Sequence, residues 1–183
     1  MAAAAPGGDS PPLVAIETRA TAWRRGLPGY VALARRAAGS ALELGARAIA
    51  LGGNAELTLV FADNALVRSL NRDFRGRDEP TNVLSFSARD GRAPAPGAPL
   101  LLGDVVLAYE TAAAEAAASG RPLADHVAHL VVHGVLHLLG HDHARAADAK
   151  RMETLEVRIL ARLGVADPYR AGSTPEAASR ASA

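Results

Sequence analysis

The amino-acid sequence predicts an α/β (α+β) domain in which about four strands interleave with about five helices. Three observations carry this: short runs that alternate with period two, longer runs with apolar residues three and four apart, and Gly, Pro, Asp or Asn between them. At 183 residues the chain can bury a real core without disulfides or a structural metal. The expected organisation is a disordered leader over residues 1–12, a single domain over 13–169 and a disordered tail over 170–183.

Taken in order, LVAIET (Leu13 to Thr18) alternates as a strand does, and Tyr30 to Leu44 has helical spacing with Arg35 and Arg36 outward. Leu57 to Phe61 is a second strand. Asp63 or Asn64 caps the helix carrying Leu66, Val67 and Leu70, and Gly76 ends it. Thr81 to Ala88 is a third strand, Asp90 to Pro99 a mobile Pro/Gly loop, and Leu101 to Tyr109 a fourth strand. Ala-rich Glu110 to Ala118 is a helix stopped by Gly120. Pro122 suits the first turn of the next, which runs to about Leu139, and Ala146 to Leu163 is the last.

Twenty Lys and Arg against nineteen Asp and Glu leave a formal charge of +1, so a nucleic-acid partner must be met by a local basic patch. The absence of cysteine excludes disulfides, thiolate metal sites and cysteine nucleophiles, and fits a reducing cytoplasm. Any bound metal must use His and carboxylate. MAAAAPGGDSPP has no basic start and no sustained apolar run, so it fails as a signal peptide. The apolar stretch from Leu130 to Leu139 is broken by His133 and His137 and is too short to cross a bilayer, so the chain is expected to be soluble.

Five of the six histidines fall in HLVVHGVLHLLGHDH, His129 to His143. His133 and His137 are four apart, one turn apart on one helix face, where both imidazoles can reach one ion. On a continuing helix His143 would be rotated from His137 by about 240° and displaced by about 9 Å. The helix must break for His143 to join them, and Gly140 is placed to break it. Three neutral imidazoles with a fourth position open make a catalytic zinc arrangement.

HGVLHLLGHDH matches the metzincin frame HExxHxxGxxH at each ligand and at the turn glycine. It departs where metalloproteases carry the glutamate that takes a proton from the attacking water, since Gly134 stands there. His141 rivals His143, because either could swing back after Gly140; the frame favours His143. His129 and His137 lie about 12 Å apart along a helix and cannot share an ion, so His129 is expected to line a cleft or the core. Asp142 could orient an imidazole or simply cap a helix end.

Arg68, Arg72, Arg75 and Arg77 bracket a helix end, a patch able to hold a phosphate backbone, although Asp73, Asp78 and Glu79 dilute it. Aromatic platforms for bases are sparse, so any nucleic-acid strand would be held mostly by backbone contacts and shape.

These residues resemble the YbeY family of bacterial endoribonucleases. HGVLHLLGHDH is similar to the family's HGxLHLxGYDH, and FRGRDEPTNVLSF (Phe74 to Phe86) to its YRGKDxPTNVLSF, while LLGDVVL fits its fourth strand. The resemblance covers roughly Leu13 to Tyr169. It implies a zincin-like metal-dependent hydrolase fold with a small mixed sheet, one zinc ion held by His133, His137 and His143, and a functional arginine at Arg75. It further implies a cytoplasmic, zinc-dependent endoribonuclease acting on single-stranded RNA in 16S rRNA 3′-end maturation and ribosome quality control, with the small subunit and assembly proteins as partners and no membrane. His141 departs from the family's tyrosine and adds a surplus ligand. Two other functions compete: a metallopeptidase whose base lies elsewhere, which Gly134 counts against, and a zinc-stabilised ribosome-assembly factor without chemistry of its own.

Overall fold

The computed structural model describes residues 12–46, 55–88, 98–142 and 145–170. Along the chain lie β1 (Leu13–Thr18), α1 (Ala22–Gly26), α2 (Tyr30–Gly45), β2 (Ala55–Ala62), α3 (Asn64–Arg75) and β3 (Val83–Ser87), followed by β4 (Leu100–Ala108), α4 (Tyr109–Ala118), α5 (Leu123–Leu138) and α6 (Ala146–Arg162). All four expected strands form. The helix beyond the expected set is α1, too short for a periodicity to announce it. Most of the expected leader, tail and Pro/Gly loop, namely residues 1–11, 171–183 and 89–97, lie outside the described residues.

The sheet order is β1-β2-β4-β3. β1 pairs parallel to β2 and β2 parallel to β4, whereas β3 runs antiparallel to β4 with Ser85 opposite Val105. The sheet is therefore mixed, and β3 is an edge strand. Alternation sends successive residues to opposite faces. Val105 and Leu107 of β4 join the main core with buried residues of α2, α5 and α6, while Val106 and Ala108 join Leu84 of β3 and Val67 of α3 in a smaller cluster. Helix α3 thus covers one face, and the histidine-bearing α5 covers the other.

Local signals fix the ends that matter. Asp63 caps α3, its carboxylate accepting from the Leu66 amide at 2.9 Å. In α2, Ala34, Ala37, Ala38, Ala41 and Gly45 form a buried stripe of small residues that lets α5 approach closely. Trp23, Tyr30 and Phe61 pack edge-on in the core, and the Trp23 indole donates to the Ala62 carbonyl at 2.8 Å. These three rings are committed to packing and cannot stack on bases.

Gly134 answers why the metzincin glutamate is missing. A Cβ there would stand 2.4 Å from Val105 Cγ1 and 3.2 Å from Ser85 Oγ, because α5 lies directly on β3 and β4 at this point. The position faces the sheet. Gly134→Ala gains about 0.8–1 kcal/mol of helix propensity, but a Cβ 2.4 Å from a stiff β-branched side chain puts the overpacking cost toward the top of its usual range, about 2–3 kcal/mol. Overpacking wins, so thermal unfolding is expected to fall by about 2–8 °C. An unchanged or raised Tm would show that α5 can lift off the sheet freely.

Candidate metal centre

Helix α5 carries two stripes. Val127, Val131, Gly134, Val135 and Leu138 are buried, whereas His126, His129, His133 and His137 are only half-buried along the other side. The helix ends as its sequence requires. Gly140 takes φ +88°, the Gly140 amide donates to the His137 carbonyl at 2.9 Å, and the His141 amide donates to the Leu136 carbonyl at 3.0 Å. That pair of bonds is the Schellman turn, which reverses the chain within two residues.

The Nε2 atoms of His133 and His137 stand 3.1 Å apart. At the other side of the ring, His133 Nδ1 meets Oε1 of Glu156 at 2.7 Å. Glu156 projects from α6 and is fully buried. Its other oxygen, Oε2, accepts a short hydrogen bond from the Tyr169 hydroxyl and lies 3.6 Å from His129 Nε2. Burial pushes the Glu156 carboxyl up, but contacts from His129, His133 and Tyr169 outweigh it and hold the group down at about 2. Burial and the neighbouring carboxylate both push the Tyr169 phenol up, so it stays protonated and donates.

Among the described residues, His129, His133 and Glu156 form one group that could hold a metal ion, with ligand atoms within 4.8 Å of one another. His133 belongs both to that group and to the expected set of His133, His137 and His143. His143 itself lies outside the described residues. Donor spacing separates the two sets: ligands on one tetrahedral zinc stand about 3.3 Å apart, given bonds of about 2.0–2.1 Å. The His133 and His137 nitrogens are close to that spacing already. The 2.7 Å contact of His133 with Glu156 is instead the length of a strong hydrogen bond and shorter than that spacing.

The other candidates are distributed as follows. His141 Nε2 donates to the Gly45 carbonyl at 3.1 Å, tying the turn to α2, so this nitrogen is engaged. His129 lines a cleft of about 160 Å³ beside Arg121 and His126, and also approaches Glu156. His126 holds Glu115 at 2.8 Å. Asp142 is exposed. Arg75 is the last residue of α3, on the layer across the sheet from α5, and no described contact joins it to the imidazoles. Arg68 grips Asp78 through two bonds of 2.8 and 2.7 Å and Arg72 meets Asp73 at 3.1 Å, whereas Arg75 is exposed with no such partner among the described residues. Phe74 beside it is 68% exposed, propped edge-on against Phe86.

Sequence reasoning missed Glu156 and Tyr169. The signal for Glu156 was present: with Met152, Ile159 and Leu160 it forms the buried stripe of α6, a carboxylate at an apolar position.

No described helix is long and apolar enough to cross a membrane. The family model for Endoribonuclease YbeY matches residues 31–164. The chain is 54% identical over 158 residues to Endoribonuclease YbeY of Paramagnetospirillum magneticum, covering 85% of this chain and 94% of that one. It is 47% identical over 173 residues to the Rhodospirillum rubrum protein of the same name, covering 92% and 86%. The solution structure of TM1509 from Thermotoga maritima superposes with a TM-score of 0.53 at 16% identity, covering 87% of this chain and all of that one, a likeness of fold. With its two motifs, its mixed sheet and these relatives, the chain belongs to the YbeY endoribonuclease family.

Proposed function

We propose that this protein is a zinc-dependent endoribonuclease that cleaves single-stranded RNA in a single catalytic domain spanning residues 13–169. Its substrate would be the 3′ end of precursor 16S rRNA, its partners the small ribosomal subunit and assembly proteins, and its compartment the cytoplasm. The convergence of the His133 and His137 Nε2 atoms carries the reading. His133, His137 and His143 would hold the ion, the Schellman turn at Gly140 ending the helix between the second of them and the third. Zinc bound there supplies Lewis-acid chemistry: activation of water and polarisation of a phosphoryl oxygen.

The chain's own residues do the rest. His133 and His137 orient the centre from a rigid helix, which favours precise placement over a loop-borne site. Arg75, exposed and without a carboxylate partner among the described residues, would bind a phosphate of the same strand beyond the sheet edge and so hold the scissile bond in place at the imidazoles. An RNA strand wrapping the β3 edge would reach both faces of the sheet, and with them both the imidazoles and the arginine. Gly134, packed on Val105, leaves no place for the peptidase base, so the metallopeptidase alternative has no support at that position.

The test pairs metal analysis with cleavage of single-stranded and duplex RNA. Purified protein should carry about one zinc per chain, lose single-strand cleavage on chelation and regain it with added zinc. Undiminished cleavage by the stripped protein would remove the metal from the chemistry. A zinc-loaded protein that binds RNA without cutting it would favour the assembly-factor alternative.

A further inference from the structure

Glu156 is a charged group with zero exposure on the apolar stripe of α6, and nothing in the cleavage chemistry above employs it. A carboxylate in such a place is costly unless its lone pairs are occupied. Here they are. Oε1 meets His133 Nδ1 at 2.7 Å, and Oε2 accepts from Tyr169 and lies 3.6 Å from His129 Nε2.

We propose that Glu156 is a positioning residue: it fixes His133 in the tautomer with the proton on Nδ1, so that the Nε2 lone pair is presented beside His137. This rests on the reading of His133 and His137 as ligands. An ionised carboxylate can only accept, so the nitrogen facing it must carry hydrogen. A neutral imidazole has one N–H, which leaves Nε2 bare, and Nε2 is the atom 3.1 Å from its counterpart on His137. The carboxylate in turn is held by a strap beyond α6. The Tyr169 amide donates to Asp167 at 2.9 Å, and Arg121 donates to the Pro168 carbonyl, which anchors the phenol over Oε2. The contact also removes the ring's freedom to rotate, which strengthens a metal bond.

The proposal is tested first without any variant. In metal-free wild-type protein, the ¹⁵N shifts of the His133 ring should show the proton on Nδ1. A proton on Nε2 overturns the proposal, and this readout stands even if altered proteins fail to fold. Next, Zn²⁺ affinity is measured by competition with a chelator in Glu156→Gln, Tyr169→Phe, His129→Ala and His137→Ala. Glu156→Gln should bind about 10–100-fold more weakly than wild type while unfolding cooperatively. Tyr169→Phe, which keeps the carboxylate and removes one donor, should lose less. His129→Ala should stay close to wild type, and His137→Ala should lose binding outright.

Wild-type affinity in Glu156→Gln alongside lost binding in His137→Ala overturns the positioning role and leaves the ligand assignment standing. Lost binding in Glu156→Gln and His129→Ala with retained binding in His137→Ala makes Glu156 a ligand, and overturns both.

Discussion

Replacing His137 with alanine is expected to give a folded protein that carries less than about a tenth of a zinc ion per chain and cleaves single-stranded RNA at least about a thousandfold more slowly. His137 is half-buried near the end of α5, and alanine is the better helix former, so the helix and its Gly140 turn persist. The loss is chemical. Removing His137 would leave the ion two of its three proposed ligands and undo the 3.1 Å pairing of nitrogens on α5, too little to hold it. Losing the several kcal/mol of charge stabilisation that a metal provides corresponds to the stated rate. His133→Ala and His143→Ala should match it, while His126→Ala and His141→Ala keep their zinc. Elemental analysis decides: full occupancy in His137→Ala would sink the ligand set, and loss in His141→Ala but not His143→Ala would move the third ligand.

Arg75→Ala is expected to lower cleavage by about a hundredfold or more with zinc content and folding intact, the scale that misplacing the scissile bond can cost. The side chain is exposed at the end of α3, so truncation opens no cavity. A guanidinium offers a planar fork to two phosphoryl oxygens, which an ammonium cannot copy, so Arg75→Lys should recover only part of the rate. Arg68→Ala is the control. Its guanidinium is already spent on Asp78, and its loss should leave kcat nearly unchanged. If metal-loaded Arg75→Ala cleaved within a factor of about two of wild type, the arginine would be a surface residue.

The regular elements were legible because they rest on local rules. Alternation placed β1 at Leu13–Thr18, an aspartate cap opened α3, and a glycine turn closed α5. The His133 and His137 pairing was legible too, since four residues on a helix is one turn. What stayed hidden depends on contacts distant in sequence. His141 could not be weighed against His143 from spacing, because its Nε2 is drawn to Gly45 on another helix. The same holds for His133 and Glu156, 23 residues apart, and for Trp23, whose burial depends on rings from β2 and α2. The resemblance marks Arg75 as functional without saying where it lies, and the alternation of β3, which puts α3 and α5 on opposite faces, needs the sheet to be seen.

The contact of Gly134 with Val105 also bears on how this scaffold could change its chemistry over time. A zinc peptidase differs from this helix by one residue on paper, yet a glutamate at that position would have to occupy the volume of a β4 valine. No single substitution leads from one activity to the other. A lineage crossing that gap would first have to shrink Val105, tilt α5 away from the strands and lose stability, and selection would meet that cost before any new catalysis appeared. The divide between the two chemistries therefore lies in the spacing between a helix and a sheet, and redesign toward proteolysis would have to begin in the core.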